Sequence, residues 1–253
     1  MRKLAVVRVI VEAPITSFRY PHFLVGRQVT YDMPPPSTIY GHVASALGEL
    51  PDPVSFQFGY HFRFTSRCSD LEHQHIITVG GQPFAAGGEK HRTATQATVQ
   101  PHLRDFLFNA RLILYVTRPE WTEAFRSPVF CVILGRSQDL ASVSTVEAVE
   151  LEERDGAYFE HTLLPFSYRP YVALGTTALM PTWIEPPPSR RAHFERFVVL
   201  HGERLFAGAY EQPEKLAPAR RMLQEPERRV WWVDPHTPVN QGVQRGVILH
   251  SCA

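Results

Sequence analysis

Residues 16–50, TSFRYPHFLVGRQVTYDMPPPSTIYGHVASALGEL, decide how the rest of this chain is read. They follow an apolar, β-branched run at residues 4–11 that has the character of a buried strand. Arg19 and Arg27 stand among the aromatics Phe18, Tyr20, Phe23 and Tyr31. Pro34-Pro35-Pro36 then stiffens the entry into a helix. Ser37 is its expected N-cap. Ile39, Val43 and Leu47 recur every four residues as one apolar stripe, and Gly48 and Pro51 end it. Strand, basic-aromatic loop, stiff turn and helix follow in that order. This sets cations and flat rings at the mouth of a small αβ unit, where they suit a nucleic-acid backbone and its bases.

Outward from this stretch, residues 55–65, SFQFGYHFRFT, alternate large apolar with polar or small side chains, the period of a half-buried strand. Residues 66–108 carry Gly80-Gly81 and Gly87-Gly88 and are too long for a structureless loop in a compact domain, so a protruding β-hairpin is expected. Residues 109–117, NARLILYVT, predict a buried strand, residues 119–126 a short helix, and residues 128–134, PVFCVIL, a further strand closed by Gly135. The fold class is therefore α+β. Residues 1–140 are expected to form a ferredoxin-like βαββαβ core of the RNA-recognition type, with a thumb hairpin inserted at 66–108. Residues 141–253 are expected to form a β-rich extension or a degenerate second αβ unit. Its strands are placed at 144–152 and 157–163, joined by an Asp155-Gly156 hairpin turn, and at 194–200, 229–233 and 246–250. A short helix is placed at 214–224.

The chain has 253 residues, 44% of them hydrophobic, which argues for a folded globular protein. Its net charge of +1 leaves nucleic-acid binding to the distribution of charge rather than its sum. No apolar run approaches the ~20 residues that span a bilayer, so no membrane partner is expected. The start, Met-Arg-Lys, lacks a signal-peptide pattern, and Cys68, Cys131 and Cys252 show no paired spacing. A cytoplasmic location with reduced thiols follows as the expectation. Cys68, His73 and His75 lack a fourth ligand at metal-site spacing, and no nucleotide-loop or hydrolase motif is present, so neither a metal nor a cofactor is expected. Lys90-His91-Arg92 follows a double glycine in the insertion, where a basic hinged hairpin suits a phosphate backbone. Arg104 and Arg111 are candidates for the same groove.

Three segments in order, Ser17-Phe18-Arg19, Pro34 through Gly48, and Leu134-Gly135-Arg136-Ser137, resemble the fifth family of CRISPR-associated proteins, the Cas-five subunit of type I Cascade. The resemblance covers roughly the first 140 residues. It implies a noncatalytic subunit that holds the 5′ handle of the CRISPR RNA (crRNA) and caps the backbone formed by seventh-family subunits. It also implies contact with the large, eighth-family subunit, and contact with target DNA only indirectly, through the guide duplex. A thumb hairpin between the second and third strands belongs to that fold, where the 66–108 insertion lies.

A single-stranded handle calls for phosphate cations, stacking surfaces and hydrogen bonds to splayed bases. Arg19 and Arg27 suit the first need. Phe18 stands between them and the strand, and Tyr20, Tyr31 and Tyr40 suit stacking, at about 1–3 kcal/mol per base. Ser37 and the free N–H groups at the helix start suit a phosphate. Two alternatives stand beside this reading. One branch of the family is a metal-independent endoribonuclease, for which Tyr40, Lys90 and His91 are the matching residue types. The other is an RNA-recognition domain outside CRISPR.

Overall fold

The computed structural model describes residues 2–22, 26–79, 84–86, 89–91, 94–172, 175–202, 204–208, 222–223 and 230–252. In chain order the elements are β1 (Lys3–Thr16), β2 (Arg27–Gln28), α1 (Pro36–Leu47), β3 (Phe58–Arg63), β4 (Ser66–Val79), β5 (Phe84–Ala86), β6 (Glu89–His91) and β7 (Ala94–Val116). A 3₁₀ turn (Pro119–Trp121) leads into α2 (Thr122–Arg126), followed by β8 (Ser142–Arg154), β9 (Gly156–Phe159) and β10 (Thr162–Pro165). A second 3₁₀ turn (Phe166–Tyr171) precedes β11 (Thr176–Ile184), β12 (Ala192–Leu200), β13 (Leu205–Gly208), β14 (Met222–Leu223) and β15 (Trp231–Val233).

The main sheet has the order β11-β12-β10-β3-β7-β1-β8-β15. Its segment β8-β1-β7-β3, with α1 between β1 and β3 and α2 between β7 and β8, is the ferredoxin-like core. β1 is central, apolar on the face beneath α1 and mixed on the other. Val7, Val9, Val11 and Ala13 join the core beneath α1, while Val6 joins a second cluster on the opposite face. α1 begins with Pro36 at its first position, where a missing N–H costs nothing. It ends at Gly48, whose φ of 80° is left-handed and whose N–H donates to the Ala44 carbonyl at 2.9 Å. Ile39, Tyr40 and Val43 face the core. The N-cap is Pro35, so Ser37 is the second helical residue rather than the cap expected from sequence, and it makes no capping bond.

The 66–108 insertion is a hairpin. β4 and β7 pair without interruption from Ser66↔Phe108 to Thr78↔Gln96, a ribbon roughly 40 Å long, and then continue to Val79↔Ala94 across one bulge. β7 is a single 23-residue strand that serves first as a hairpin arm and then as the third core strand. The expected start at residue 109 marks an irregularity within it: Asn109 takes a φ of 53°, which asparagine tolerates.

Several expectations are corrected. Residues 128–134 do not form a strand. The backbone N–H groups of Val129 and Phe130 donate to the Ala46 and Ser45 carbonyls at the end of α1, 3.2 and 3.3 Å away, and so cap a helix instead of joining a ladder. The fourth core strand is β8, which pairs with β1 from Lys3↔Glu152 to Glu12↔Ser142. Strands from both sides of residue 140 therefore share one sheet. The Asp155-Gly156 turn does not join a hairpin: β8 stays with β1, while β9 pairs with β13. Residues 246–250 make only isolated bridges, Gly246 with Val233 and His250 with Phe58. The helix expected at 214–224 lies outside the described residues, apart from 222–223 in β14.

The face of the core opposite α1, left open for bases in RNA-recognition domains, is partly covered by the C-terminal segment. Val247 packs with Val6, Tyr115, Val149 and Leu151. Fully buried Asp234 accepts hydrogen bonds from Arg8 at 2.7 Å and from the Tyr115 hydroxyl at 2.8 Å.

Candidate nucleic-acid interface

The chain leaving β1 is fixed by polar side chains that would otherwise be buried without partners. The Thr16 hydroxyl donates to the Leu134 carbonyl, and Ser17 donates to the Asp105 carbonyl at 2.9 Å. The Phe18 N–H donates to Thr30 Oγ1 at 2.8 Å, and its ring meets Phe62 edge-on at 5.4 Å. With Thr16, Ser17 and Phe18 turned inward, Arg19 is left outward. Its guanidinium is exposed and has no hydrogen-bond or ion-pair partner among the described residues. Gly135 makes the docking of the 134–139 turn possible. Its φ is 102°, and a Cβ there would stand 2.7 Å from the Ser17 carbonyl oxygen.

These contacts bring the three ordered segments together. A cleft of about 500 Å³ is lined by Ser17, Phe18 and Arg19, by Pro35, Ser37 and Thr38 at the start of α1, and by Gly135 and Arg136. Its remaining wall is Pro181, Ile184, Ala192 and Phe194, from β11 and β12. A second, polar hollow of about 370 Å³ shares Arg19 and continues to the base of the hairpin past Gln28, Glu72, Gln74 and Arg104. Arg19 thus stands where the two hollows join.

The neighbouring cations are mostly neutralised. Arg136 binds Asp139 at 2.7 Å and Glu72 at 2.8 Å, with its guanidinium 4.6 Å from the centre of the Phe106 ring. Arg104 pairs with the same Glu72. Burial works to raise the Glu72 carboxyl, but the hydrogen bonds and charges of Arg104 and Arg136 outweigh it and hold the group below the usual carboxylate range. At the start of α1 the free donors are fewer than expected. Pro36 has no N–H, and the Thr38 and Ile39 N–H groups both turn to the Pro35 carbonyl, which leaves the Ser37 N–H and hydroxyl beside the cleft.

The structure divides the residues singled out from sequence. Arg19 and Ser37 line the cleft; Tyr20 does not, and is half-buried and stacked on Tyr31 with ring centres 3.6 Å apart. Phe18 and Tyr31 are core residues, 2% and 1% exposed, and present no free ring face to a base. The Tyr31 hydroxyl donates to the Leu179 carbonyl at 2.6 Å, and burial pushes its pKa well above that of an ordinary phenol, so the group stays protonated. Tyr40 is also buried, with its hydroxyl donating to Pro51 at 2.6 Å. Stacking from Tyr31 or Tyr40 is therefore corrected: an apolar helix face and the sheet beneath it consume these rings.

Arg27 binds buried Asp105 at 3.0 Å and reaches Ser69 at 3.3 Å, which ties its loop to the hairpin. Arg111 pairs with Glu12 at 2.6 Å on the opposite sheet face. Lys90 and His91 lie in β6, beyond the far end of the β4–β7 ladder; their side chains, and Arg92 altogether, lie outside the described residues. Tyr40, committed to Pro51, is not brought to them. Sequence reasoning passed over Arg136, Ile184 and Phe194. Arg136 lay within a recognised segment, but nothing in the order of residues marks Ile184 and Phe194 as walls of a cleft formed by residues 17–19. Among the described residues no group of three or more His, Cys, Asp or Glu side chains is placed to hold a metal ion. Among the described residues no helix is long and apolar enough to cross a membrane.

Among solved structures, the chain is similar to a chain of a CRISPR RNA-guided surveillance complex, with 18% identity and a TM-score of 0.49 over 77% of this chain and 89% of that one. It is also similar to a chain of the type III-B Cmr-beta complex bound to cognate target RNA, with 11% identity and a TM-score of 0.44 over 78% and 85%. A third likeness is a CRISPR protein from Archaeoglobus fulgidus, with 9% identity and a TM-score of 0.42 over 78% and 86%. No curated protein matches the chain. The family described as CRISPR-associated protein (Cas_Cas5) matches residues 6–230, nearly the whole length of the fold built above, and the chain belongs to that family.

Proposed function

We propose that the chain is a noncatalytic RNA-binding subunit of a CRISPR surveillance complex and that it holds the 5′ handle of the crRNA. The observation that carries this reading is the convergence of residues 17–19, the start of α1 and residues 135–136 on one cleft, with the unpaired Arg19 guanidinium at its rim. Arg19 meets a phosphate, the Ser37 hydroxyl and N–H offer further donors, and the exposed Phe194 and Ile184 give an unpaired base an apolar surface. On the same reading the β4–β7 hairpin is the thumb, and target DNA is met only through the guide duplex. The seventh-family backbone subunit and the large eighth-family subunit are the neighbours, and the assembly acts in the cytoplasm.

Titration of labelled repeat RNA with the purified protein at several salt concentrations tests this. Arg19→Ala is expected to weaken binding and to make log K against log salt shallower by about 0.7, the increment for one phosphate contact on a single strand. Wild-type slope and affinity in that variant would remove the cleft from consideration. Cleavage of the same RNA in EDTA, lost in His91→Ala, would replace this reading with the endoribonuclease.

A further inference from the structure

The sheet face opposite α1 carries a second basic site that the cleft does not explain. Strand alternation sends Glu12, Arg63 and Arg111 to that face, since their neighbours Val11, Ala13, Phe62, Ala110 and Leu112 enter the core under α1. The C-terminal cover does not close this end: a polar hollow of about 430 Å³ remains, lined by Glu12, Arg63 and Arg111 and floored by Phe64, Thr65 and Asn109.

Arg63 and Arg111 are direct partners across the β3–β7 ladder. Like charges facing each other on a sheet repel unless an anion stands between them. Glu12 answers Arg111, but Arg63 has no carboxylate partner among the described residues. The surroundings add basic groups rather than acids. His161 and His201 stand with rings 5.2 Å apart, and each buries an Nδ1 without a partner among the described residues, as Arg245 does its Nε. The carboxylates of Glu160 and Asp234 are engaged elsewhere, the first by Arg204 and the second by Arg8 and Tyr115. Burial holds His161 below its ordinary value, and the charges of His201, Arg245 and Arg63 push it the same way.

The geometry points to a second oxyanion site here, in which Arg63 and Arg111 grip one phosphodiester group of a nucleic-acid strand that passes over the face of the sheet away from the cleft. The oxygens of a tetrahedral phosphate point to several sides of the phosphorus, so guanidinium forks from two strands can reach it at once. The site rests on the RNA-binding reading but uses no residue of the cleft, so the two stand or fall separately.

The test uses the whole protein, a labelled oligouridylate RNA and salt titrations of wild type, Arg63→Gln, Arg63→Lys, Arg19→Ala and the Arg19→Ala/Arg63→Gln pair, with poly-glutamate as competitor. Arg63→Gln is expected to make the salt slope shallower by about 0.7 at an unchanged melting temperature. Arg63→Lys is expected to keep the slope, and the pair to lose about twice as much as either single change. A wild-type slope in Arg63→Gln while Arg19→Ala still loses its share overturns this site and leaves the cleft standing. Loss of poly-glutamate competition alone assigns the face to an acidic protein surface and overturns it as well. Slopes unchanged in every variant overturn both readings.

Discussion

Glu72 and Arg136, 64 residues apart in sequence, meet at 2.8 Å. One stands on the hairpin and the other in the turn that lines the cleft, so the ion pair ties the base of the hairpin to the cleft wall. Arg104 shares the same carboxylate. Glu72→Gln should therefore cost about 1–3 kcal/mol of unfolding free energy in urea, because two partly buried guanidinia lose the negative charge they share and one of its two acceptor oxygens. Amide exchange should quicken at the hairpin base near residue 72. A change below about 0.5 kcal/mol, as for an ordinary surface site, would show that the pair does not hold the hairpin.

Arg19 and Arg27, alike in sequence, should behave differently. Arg19→Ala removes no side-chain hydrogen bond or ion pair among the described residues and should leave stability within about 0.5 kcal/mol of wild type while weakening RNA binding. Arg27→Ala strips the guanidinium from buried Asp105, leaving it with Ser69 at 2.7 Å, and should cost about 1–3 kcal/mol. Parallel melting curves and RNA titrations separate the two. Equal melting temperatures in the two variants would contradict this division.

Two glycines give opposite expectations. Gly135→Ala forces a Cβ to within 2.7 Å of the Ser17 carbonyl oxygen at a left-handed φ, and should lower stability by more than about 2 kcal/mol and RNA affinity with it. Gly41, inside α1, has nothing within 4 Å of its added Cβ, so Gly41→Ala should raise stability by up to about 1 kcal/mol. Chemical denaturation of both variants decides the matter.

Tyr31→Phe should cost about 0.5–1.5 kcal/mol through loss of the bond to Leu179, with RNA affinity unchanged because the ring is not available to a base. A several-fold loss of affinity with intact stability would restore Tyr31 to the binding surface.

Buried histidines make the fold sensitive to acid. Burial pushes His250 down to about 4 from an ordinary value near 6.5, against the opposing hydrogen bond its Nε2 donates to the Leu163 carbonyl. His61 is lowered by burial in the same direction. Between those two values the unfolded chain binds protons that the folded chain refuses. Stability should thus be fully present above about pH 6.5 and decline as pH falls toward 4, by roughly 3 kcal/mol for His250 alone. Urea unfolding at pH 7.5, 6, 5 and 4 measures this, and His250→Gln should flatten the decline. A curve that is level from pH 7.5 to 5 would contradict the buried neutral state.

Local order was legible where one residue type has one physical use. The run at 4–11, the fourfold stripe of α1 and its glycine stop, and the length of the 66–108 segment each specify an element through side-chain period or backbone permissiveness. The run at 128–134 misled because apolar composition does not say whether a segment joins a ladder or caps a helix. That choice depends on the orphan carbonyls at the end of α1, which exist only once α1 is packed.

By itself the sequence determined the strand-helix-strand order, the inserted hairpin and the ordered segments that bear the family likeness, because these follow from spacing along the chain. Only tertiary structure decided which cations are free. Arg19 and Arg27 carry the same charge eight residues apart, yet Asp105 arrives from a strand far along the chain to neutralise one and leave the other exposed. The sign of a side chain is local, but its compensation is a long-range contact, and binding sites are built from the charges that folding leaves uncompensated.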